Sequence, residues 1–191
     1  MSDFLSIVLA AALVNNVALV QLLGVSPLFA YSNRLQSAVE LALLSFIVLF
    51  SASFINLLLY RFVLGPLRLD VLKLLCFVAI STGITTLLSI WVGRHYPLSI
   101  RRHGLAMLLV GGNSAVIGIS LLSVVSARSV LQSLAYSLGT ALGFALLLIA
   151  FAALRLRLDA ADVPQPFRGA AIYLISAGII AMSMLGFAGL V

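Results

Sequence analysis

The chain contains 191 residues, of which 63% are hydrophobic and 8% are charged. Its mean hydropathy of +1.26 is far higher than a soluble domain of this size needs, because a soluble helix requires polar residues on its outer face. The net charge of +6 comes from basic residues scattered between apolar stretches, not gathered into the stripe that nucleic-acid binding requires. We therefore expect an integral membrane protein whose basic residues lie against the head groups of the lipid bilayer. We expect no nucleic-acid partner.

Six apolar segments follow one another along the chain, separated by short loops. Each is about 20 to 25 residues long, the length that an α-helix needs to cross a hydrocarbon core of about 30 Å. Charged residues are absent from the segment centres, where each would cost about 2.5 to 3.5 kcal/mol. We predict an all-α integral membrane fold with six transmembrane helices. The segments are 4–23, 38–60, 71–92, 104–125, 130–154 and 170–191.

The distribution of Lys and Arg between alternate loops predicts the orientation of these helices. Basic residues are retained on the cytoplasmic side of a membrane, and the first, third and fifth loops carry seven of them against four in the other loops. We therefore expect the odd-numbered loops in the cytoplasm and both termini on the outer side. The seven are Arg34, Arg94, Arg101, Arg102, Arg155, Arg157 and Arg168; the four are Arg61, Arg68, Lys73 and Arg128.

Six helices divide into two halves of three, at about residues 1–95 and 104–191, within a single membrane domain spanning 1–191. If one half were a duplicate of the other, an odd number of spans would place the two upside-down relative to each other, as an inverted repeat. The faint similarity between residues 14–16 and 110–113, both of which contain asparagine, is compatible with such a duplication.

Polar and turn-forming residues interrupt the first apolar segment of each half. Asn15 and Asn16, followed by residues 24–27, interrupt the first segment, and residues 111–114, leading to Gly118, interrupt the fourth. A broken membrane helix frees backbone groups that protein must satisfy, so paired breaks predict a buried site between the two halves. The alternative is that small residues merely allow close helix packing.

Other motifs add no chemistry of their own. Gly139 and Gly143 have the spacing of a close helix crossing, which fits packing within the chain or between subunits. The sequence contains no catalytic triad, phosphate-binding loop or paired-carboxylate site. We therefore expect no complete active site, no catalytic residue and no metal site formed by this chain alone.

Five stretches of the chain resemble a known family. Residues 13–16 and 23–27 are similar to the opening of the A-type subunits of Rnf/Rsx ion-translocating oxidoreductase complexes and to a related family, the E-type subunits of Nqr complexes. Residues 113–118 resemble the second signature of both families. Two further stretches, 162–169 and 186–191, look specifically like the A-type subunits of Rnf. The resemblance covers the whole chain.

This resemblance implies a multi-pass subunit of the bacterial inner membrane that works in electron transport. Family members pair with a homologous membrane subunit, the E-type subunit of Rnf, alongside the other Rnf subunits. Each of the two supplies a pair of cysteines from its broken helices to one shared 2Fe–2S cluster. Thiolates suit this role because soft sulfur ligands bind iron strongly. The cluster relays electrons across the membrane, and the transfer is coupled to ion translocation.

The chain departs from the family at both cluster-ligand positions, which here are Ser26 and Ser114. A serine hydroxyl is far less acidic than a thiol and is a poor ligand for iron at neutral pH. Cys76 is the single cysteine and lies outside both broken helices, so it cannot replace either ligand. We therefore expect no cluster firmly bound by this chain.

Two hypotheses about function follow from this departure. In the first, the chain is a divergent subunit of an Rnf-type complex with a lost or weakened cluster site, and it supplies the fold and the partner interface. In the second, it is a non-redox scaffold or small-solute transporter derived from the same fold. The retained asparagines and C-terminal signature favour the first hypothesis.

Overall fold

A computed structural model describes residues 2–24, 35–95, 113–125 and 129–189. Every regular element within these ranges is helical, in agreement with the predicted all-α class. Turns of π-helix or 3₁₀-helix extend several of the helices. The α-helices are α1 (Ser2–Leu9), α2 (Val17–Val20), α3 (Leu35–Leu59), α4 (Lys73–His95), α5 (Ser114–Val125), α6 (Val130–Asp159) and α7 (Ala170–Leu185); the π-turns are Ala10–Val14 and Tyr60–Leu64, and the 3₁₀ turns are Asp70–Leu72, Gln165–Phe167 and Gly186–Gly189.

The apolar helices fall into two length classes. Within the described ranges, three helical stretches are long and apolar enough to cross a membrane, and three further apolar stretches are shorter. The short ones include the two segments in which we predict breaks, although residues 104–112 of the fourth segment lie outside the described ranges. The long stretches are Leu35–Leu64, Asp70–Arg94 and Val130–Asp159, and the short ones are Phe4–Val20, Ser114–Val124 and Ala170–Leu185.

Helix α6 is the longest element and forms the centre of the core with α3. Its first turn is fixed by a capping box, in which Ser129 accepts a hydrogen bond from the Gln132 backbone and the Gln132 side chain accepts one from the Ser129 backbone. The apolar side chains of Phe144, Leu148 and Phe151 are fully buried along its length. Helix α5 packs on α3, and α1 packs on α6.

The close approach of α1 to α6 depends on Gly139 and Gly143. A Cβ atom at position 139 would lie 2.5 Å from the carbonyl oxygen of Val8, and one at position 143 would meet the carbonyl oxygen of Ala12. Because backbone fills the space that a side chain would need, both positions require glycine. The glycine pair therefore serves packing within the chain, which is one of the two roles that its spacing allowed.

Helix α4 is much less covered by the rest of the chain than the other two long helices. Only 17% of the apolar part of the stretch that contains α4 is buried inside the chain. The corresponding share is 50% for the stretch that contains α3 and 56% for that of α6. Leu75, Leu87 and Trp91 are among its exposed side chains. Such a surface is stable against lipid tails or another membrane protein, which supports the membrane assignment.

Candidate functional site

The first break separates the π-turn Ala10–Val14 from the short helix α2, and the side chain of Asn16 bridges it. The Asn16 Oδ1 accepts a hydrogen bond of 3.1 Å from the backbone N–H of Ala18. The Asn16 Nδ2 donates one, also 3.1 Å long, to the carbonyl oxygen of Ala12. One buried amide therefore satisfies a carbonyl before the break and an N–H after it, so the chain is broken without exposing these groups to lipid.

Asn113 caps the start of α5, where we predict the second break; residues 104–112 lie outside the described ranges. Its Oδ1 accepts a hydrogen bond of 2.9 Å from the backbone N–H of Ala115. As with Asn16, the acceptor is the cap side chain and the donor is the N–H two residues later. The Asn113 side chain is buried, and its Nδ2 has no hydrogen-bond partner among the residues that the structure describes. The shared capping geometry agrees with a relationship between the two halves.

The end of the first break lies against the start of α5. The backbone N–H of Gly24 donates a hydrogen bond of 3.1 Å to the hydroxyl oxygen of Ser114. A Cβ atom at position 24 would lie 2.7 Å from Asn113 Oδ1 and 2.5 Å from Phe144 Cε2. Leu23 packs directly on Gly118, so that a Cβ atom at position 118 would meet the Leu23 side chain. The structure therefore brings the end of the first break to the start of α5, while Ser26, the other predicted site residue, lies outside the described residues.

The backbone is strained where the first break ends. Leu22 has a φ of 54° and Gly24 has a φ of 76°. Glycine adopts such angles freely, whereas for leucine the left-handed region costs roughly 1 to 2 kcal/mol. Strained bulky residues are characteristic of sites whose geometry is imposed by the surrounding structure. Neither Leu22 nor Phe144 was marked by the sequence pattern, because both are apolar residues within apolar segments.

Several polar residues at the breaks are exposed on the surface of the chain. Asn15, Gln21 and Ser114 all belong to this class. Polar groups within an apolar span cannot be satisfied by lipid tails, so they need water or protein. These three exposed positions are therefore poorly suited to contact with lipid tails.

The donor set at the junction is poorly suited to iron. The Ser114 oxygen accepts the N–H of Gly24, and its own hydroxyl proton keeps it neutral. Cys76 lies in the first turn of α4, an element that belongs to neither break. The described residues at the junction supply hydroxyl and amide groups without a thiolate, and they do not fit a 2Fe–2S cluster.

A second polar region lies where α6 connects to α7. The guanidinium carbon of Arg155 lies 4.4 Å from the centre of the Tyr173 ring, whose hydroxyl donates a hydrogen bond to Asp159. In the connecting loop, Arg168 Nε donates a hydrogen bond of 2.8 Å to the carbonyl oxygen of Val163. The contacts of Tyr173 with Arg155 and Asp159 therefore hold α6 and α7 together, and the Arg168–Val163 bond lies within the connecting loop, which contains the signature 162–169.

Comparison with known proteins agrees with this architecture. The family model described as "Rnf-Nqr subunit, membrane protein" matches residues 4–191. Proteins named as the A subunit of an ion-translocating oxidoreductase complex are similar over all of this chain and 99% of their own length, at 37% identity in Hahella chejuensis and 39% in both Alkalilimnicola ehrlichii and Pseudoalteromonas translucida. Because the match is continuous from one end of the chain to the other, the chain belongs to the Rnf-Nqr family of membrane subunits.

Proposed function

We propose that the chain is a membrane subunit of an Rnf-type complex in which electron transfer is coupled to ion translocation. Its relatives are named as the A subunit of an ion-translocating oxidoreductase complex. The observation that carries the proposal is the junction between Gly24 and Ser114, because it joins the first helix break to the start of α5 and brings the two asparagine caps into one region. A chain that had become a simple lipid-embedded scaffold would have no use for a strained junction of this kind.

The partner at this junction is a homologous membrane subunit of the E type. Support comes from the exposed polar residues Asn15, Gln21 and Ser114, which lipid cannot satisfy. A related subunit with broken helices of its own would present polar backbone and side-chain groups at the same depth. The two broken-helix surfaces would then complete each other, and the remaining Rnf subunits would bind around the pair.

The cluster site of the family is lost or much weakened in this chain. Ser114 stands at one ligand position and Ser26 at the other. To bind iron as thiolates do, these hydroxyls would have to lose their protons in an apolar environment, which burial makes harder still. The role left to this chain is to provide the fold, the partner surface and the polar junction.

The chain crosses the bacterial inner membrane six times, in two inverted halves, and both termini lie on the outer side. The excess of basic residues in the odd-numbered loops supports this orientation. The matching asparagine caps at Asn16 and Asn113 support the inverted arrangement.

Purification of the native complex tests this proposal. An affinity tag on the chain should co-purify the homologous membrane subunit together with flavin- and iron–sulfur-bearing subunits. The separated membrane pair should contain little iron and give no 2Fe–2S signal in electron paramagnetic resonance. Recovery of the chain alone would instead support the scaffold or transporter hypothesis. Stoichiometric iron bound at this junction would contradict the loss of the site.

A further inference from the structure

Asn56 is a buried amide on α3 with one of its two polar atoms unpartnered. It has no exposed surface, and its Nδ2 donates a hydrogen bond of 2.9 Å to the hydroxyl oxygen of Ser120 on α5. The carbonyl oxygen of the same side chain, Oδ1, has no hydrogen-bond partner within the described ranges. Buried amide oxygens are rarely left unsatisfied, and in an apolar bundle the penalty is not relieved by bulk water.

Ser53, one helical turn before Asn56, is unsatisfied as well. Its hydroxyl is fully buried and has no partner in the part of the chain that is described. Serine within a membrane helix commonly donates to the carbonyl four residues earlier, and Ser51 in the same helix does so to Ile47. Ser53 does not make that bond. Two unsatisfied polar groups therefore occur three residues apart on one helix.

The two unsatisfied groups lie at neighbouring positions on one face of α3. Residues three apart on a helix have Cβ atoms about 5 to 6 Å from each other. A single water molecule that lies between two such side chains can hydrogen-bond to both. The hydroxyl of Ser120, which accepts from Asn56 and donates to the carbonyl oxygen of Val116 at 2.8 Å, retains a lone pair and offers a third contact.

We propose that Ser53, Asn56 and Ser120 form a binding site for an internal water molecule between α3 and α5. The water donates to Asn56 Oδ1 and exchanges a hydrogen bond with the Ser53 hydroxyl, giving it the two to four partners that buried waters need. Water is favoured over a metal cation because the three side chains are neutral and a buried cation without a carboxylate is strongly disfavoured. The bound water stabilises the packing of α5, which begins at Ser114, on the central helix α3.

High-resolution cryo-electron microscopy of the whole membrane complex tests this site. A density peak should lie within hydrogen-bond distance of both Asn56 Oδ1 and Ser53 Oγ. The variant Ser53→Ala should lose the peak and lower the temperature of thermal unfolding. The matched variant Ser51→Ala, which removes a hydroxyl already bonded to its own helix, should keep the peak and unfold at the wild-type temperature.

Three results would overturn the proposal. The first is a wild-type map that shows ordered waters elsewhere in the bundle but none at Asn56, and this result does not depend on any variant folding. The second is a peak that persists in Ser53→Ala, because Ser53 would then not be a ligand. The third is a peak that is present in sodium buffer and absent in potassium buffer, since the occupant would then be a cation.

Discussion

The backbone N–H of Gly24 and the side-chain oxygen of Ser114 are hydrogen-bonded at 3.1 Å, although 90 residues separate them in the chain. Gly24 lies at the end of the first break, which Asn16 bridges, and Ser114 begins α5, which Asn113 caps. The bond joins the first break to the start of α5. A change at either residue is therefore expected to disturb both places.

Replacement of Gly24 by alanine tests how tightly this junction is packed. The new Cβ atom would lie within 2.7 Å of Phe144 and Asn113, and the φ of 76° disfavours any residue other than glycine. Overpacking costs typically about 1 to 3 kcal/mol, and the left-handed backbone adds roughly 1 kcal/mol. We expect Gly24→Ala to lower the temperature of thermal unfolding in nanodiscs by several degrees.

Gly83→Ala is the control for this experiment. Gly83 lies inside α4, and a Cβ atom there would have no other atom within 4 Å. Alanine is a better helix former than glycine by about 1 kcal/mol in aqueous peptides, so this variant should be neutral or slightly more stable. Equal unfolding temperatures for the Gly24 and Gly83 variants would show that the junction is looser than the structure indicates.

At the crossing between α1 and α6, we expect Gly143→Ala to prevent the close approach of the two helices. The new methyl group would meet the backbone of Ala12, which cannot move aside as a flexible side chain can. The helices would have to separate, at a cost of about 1 to 3 kcal/mol. We expect a lower yield of folded protein in the membrane and a lower midpoint for unfolding in a denaturing detergent. Gly178→Ala in α7, where the added atom meets nothing within 4 Å, should leave both unchanged.

The lengths of the three long helices could largely be predicted from the sequence, whereas their exact ends could not. The segment predicted at 130–154 continues in the structure as far as Asp159. The predicted segment ends before Arg155 because Arg155 is the first charged residue after the apolar run. The helical hydrogen bonds nevertheless continue as the chain leaves the apolar region. Hydropathy reports where the side chains meet lipid, and it does not report where the backbone stops being helical.

The first break and the start of α5 could be located from the sequence, but their neighbours could not. Asparagine and glycine stand out in an apolar segment and mark these positions. Phe144, which faces Gly24, is one apolar residue among many in α6. In a helix that is apolar on every side, no periodicity distinguishes the core-facing residues from those facing lipid. For the same reason Ser53 and Asn56 could be seen in the sequence as polar residues, but not recognised as fully buried.

The bridging role of Asn16 predicts that its removal is more harmful than removal of its neighbour. Asn16→Ala deletes an N-cap hydrogen bond, worth about 0.5 to 2 kcal/mol, and also leaves the carbonyl of Ala12 without its donor. Asn15 is exposed, so Asn15→Ala should have a smaller effect on the unfolding temperature. Hydrogen exchange at the amide of Ala18 should become faster in the Asn16 variant only. The same exchange rate in both variants would argue against the bridge.

The orientation can be tested by reporter fusions along the chain. If the excess of basic residues in the odd-numbered loops governs insertion, fusions after Arg102 and Arg157 should be active only with a cytoplasmic reporter. A fusion after Val191 should be active only with a reporter that works on the outer side. Reversed activity at two of the three points would overturn the predicted topology.

The last prediction concerns the chemistry of the junction itself. If two hydroxyls replace two thiolates at an otherwise intact site, then Ser26→Cys combined with Ser114→Cys should restore iron binding, provided that the homologous partner contributes its own pair of cysteines. The doubly substituted complex should gain iron and a 2Fe–2S signal in electron paramagnetic resonance. The wild type and the single variant Ser114→Cys should not, because three thiolates leave one iron under-coordinated. Failure of the double variant to gain iron, in a complex that assembles normally, would show that the divergence extends beyond the two ligand positions.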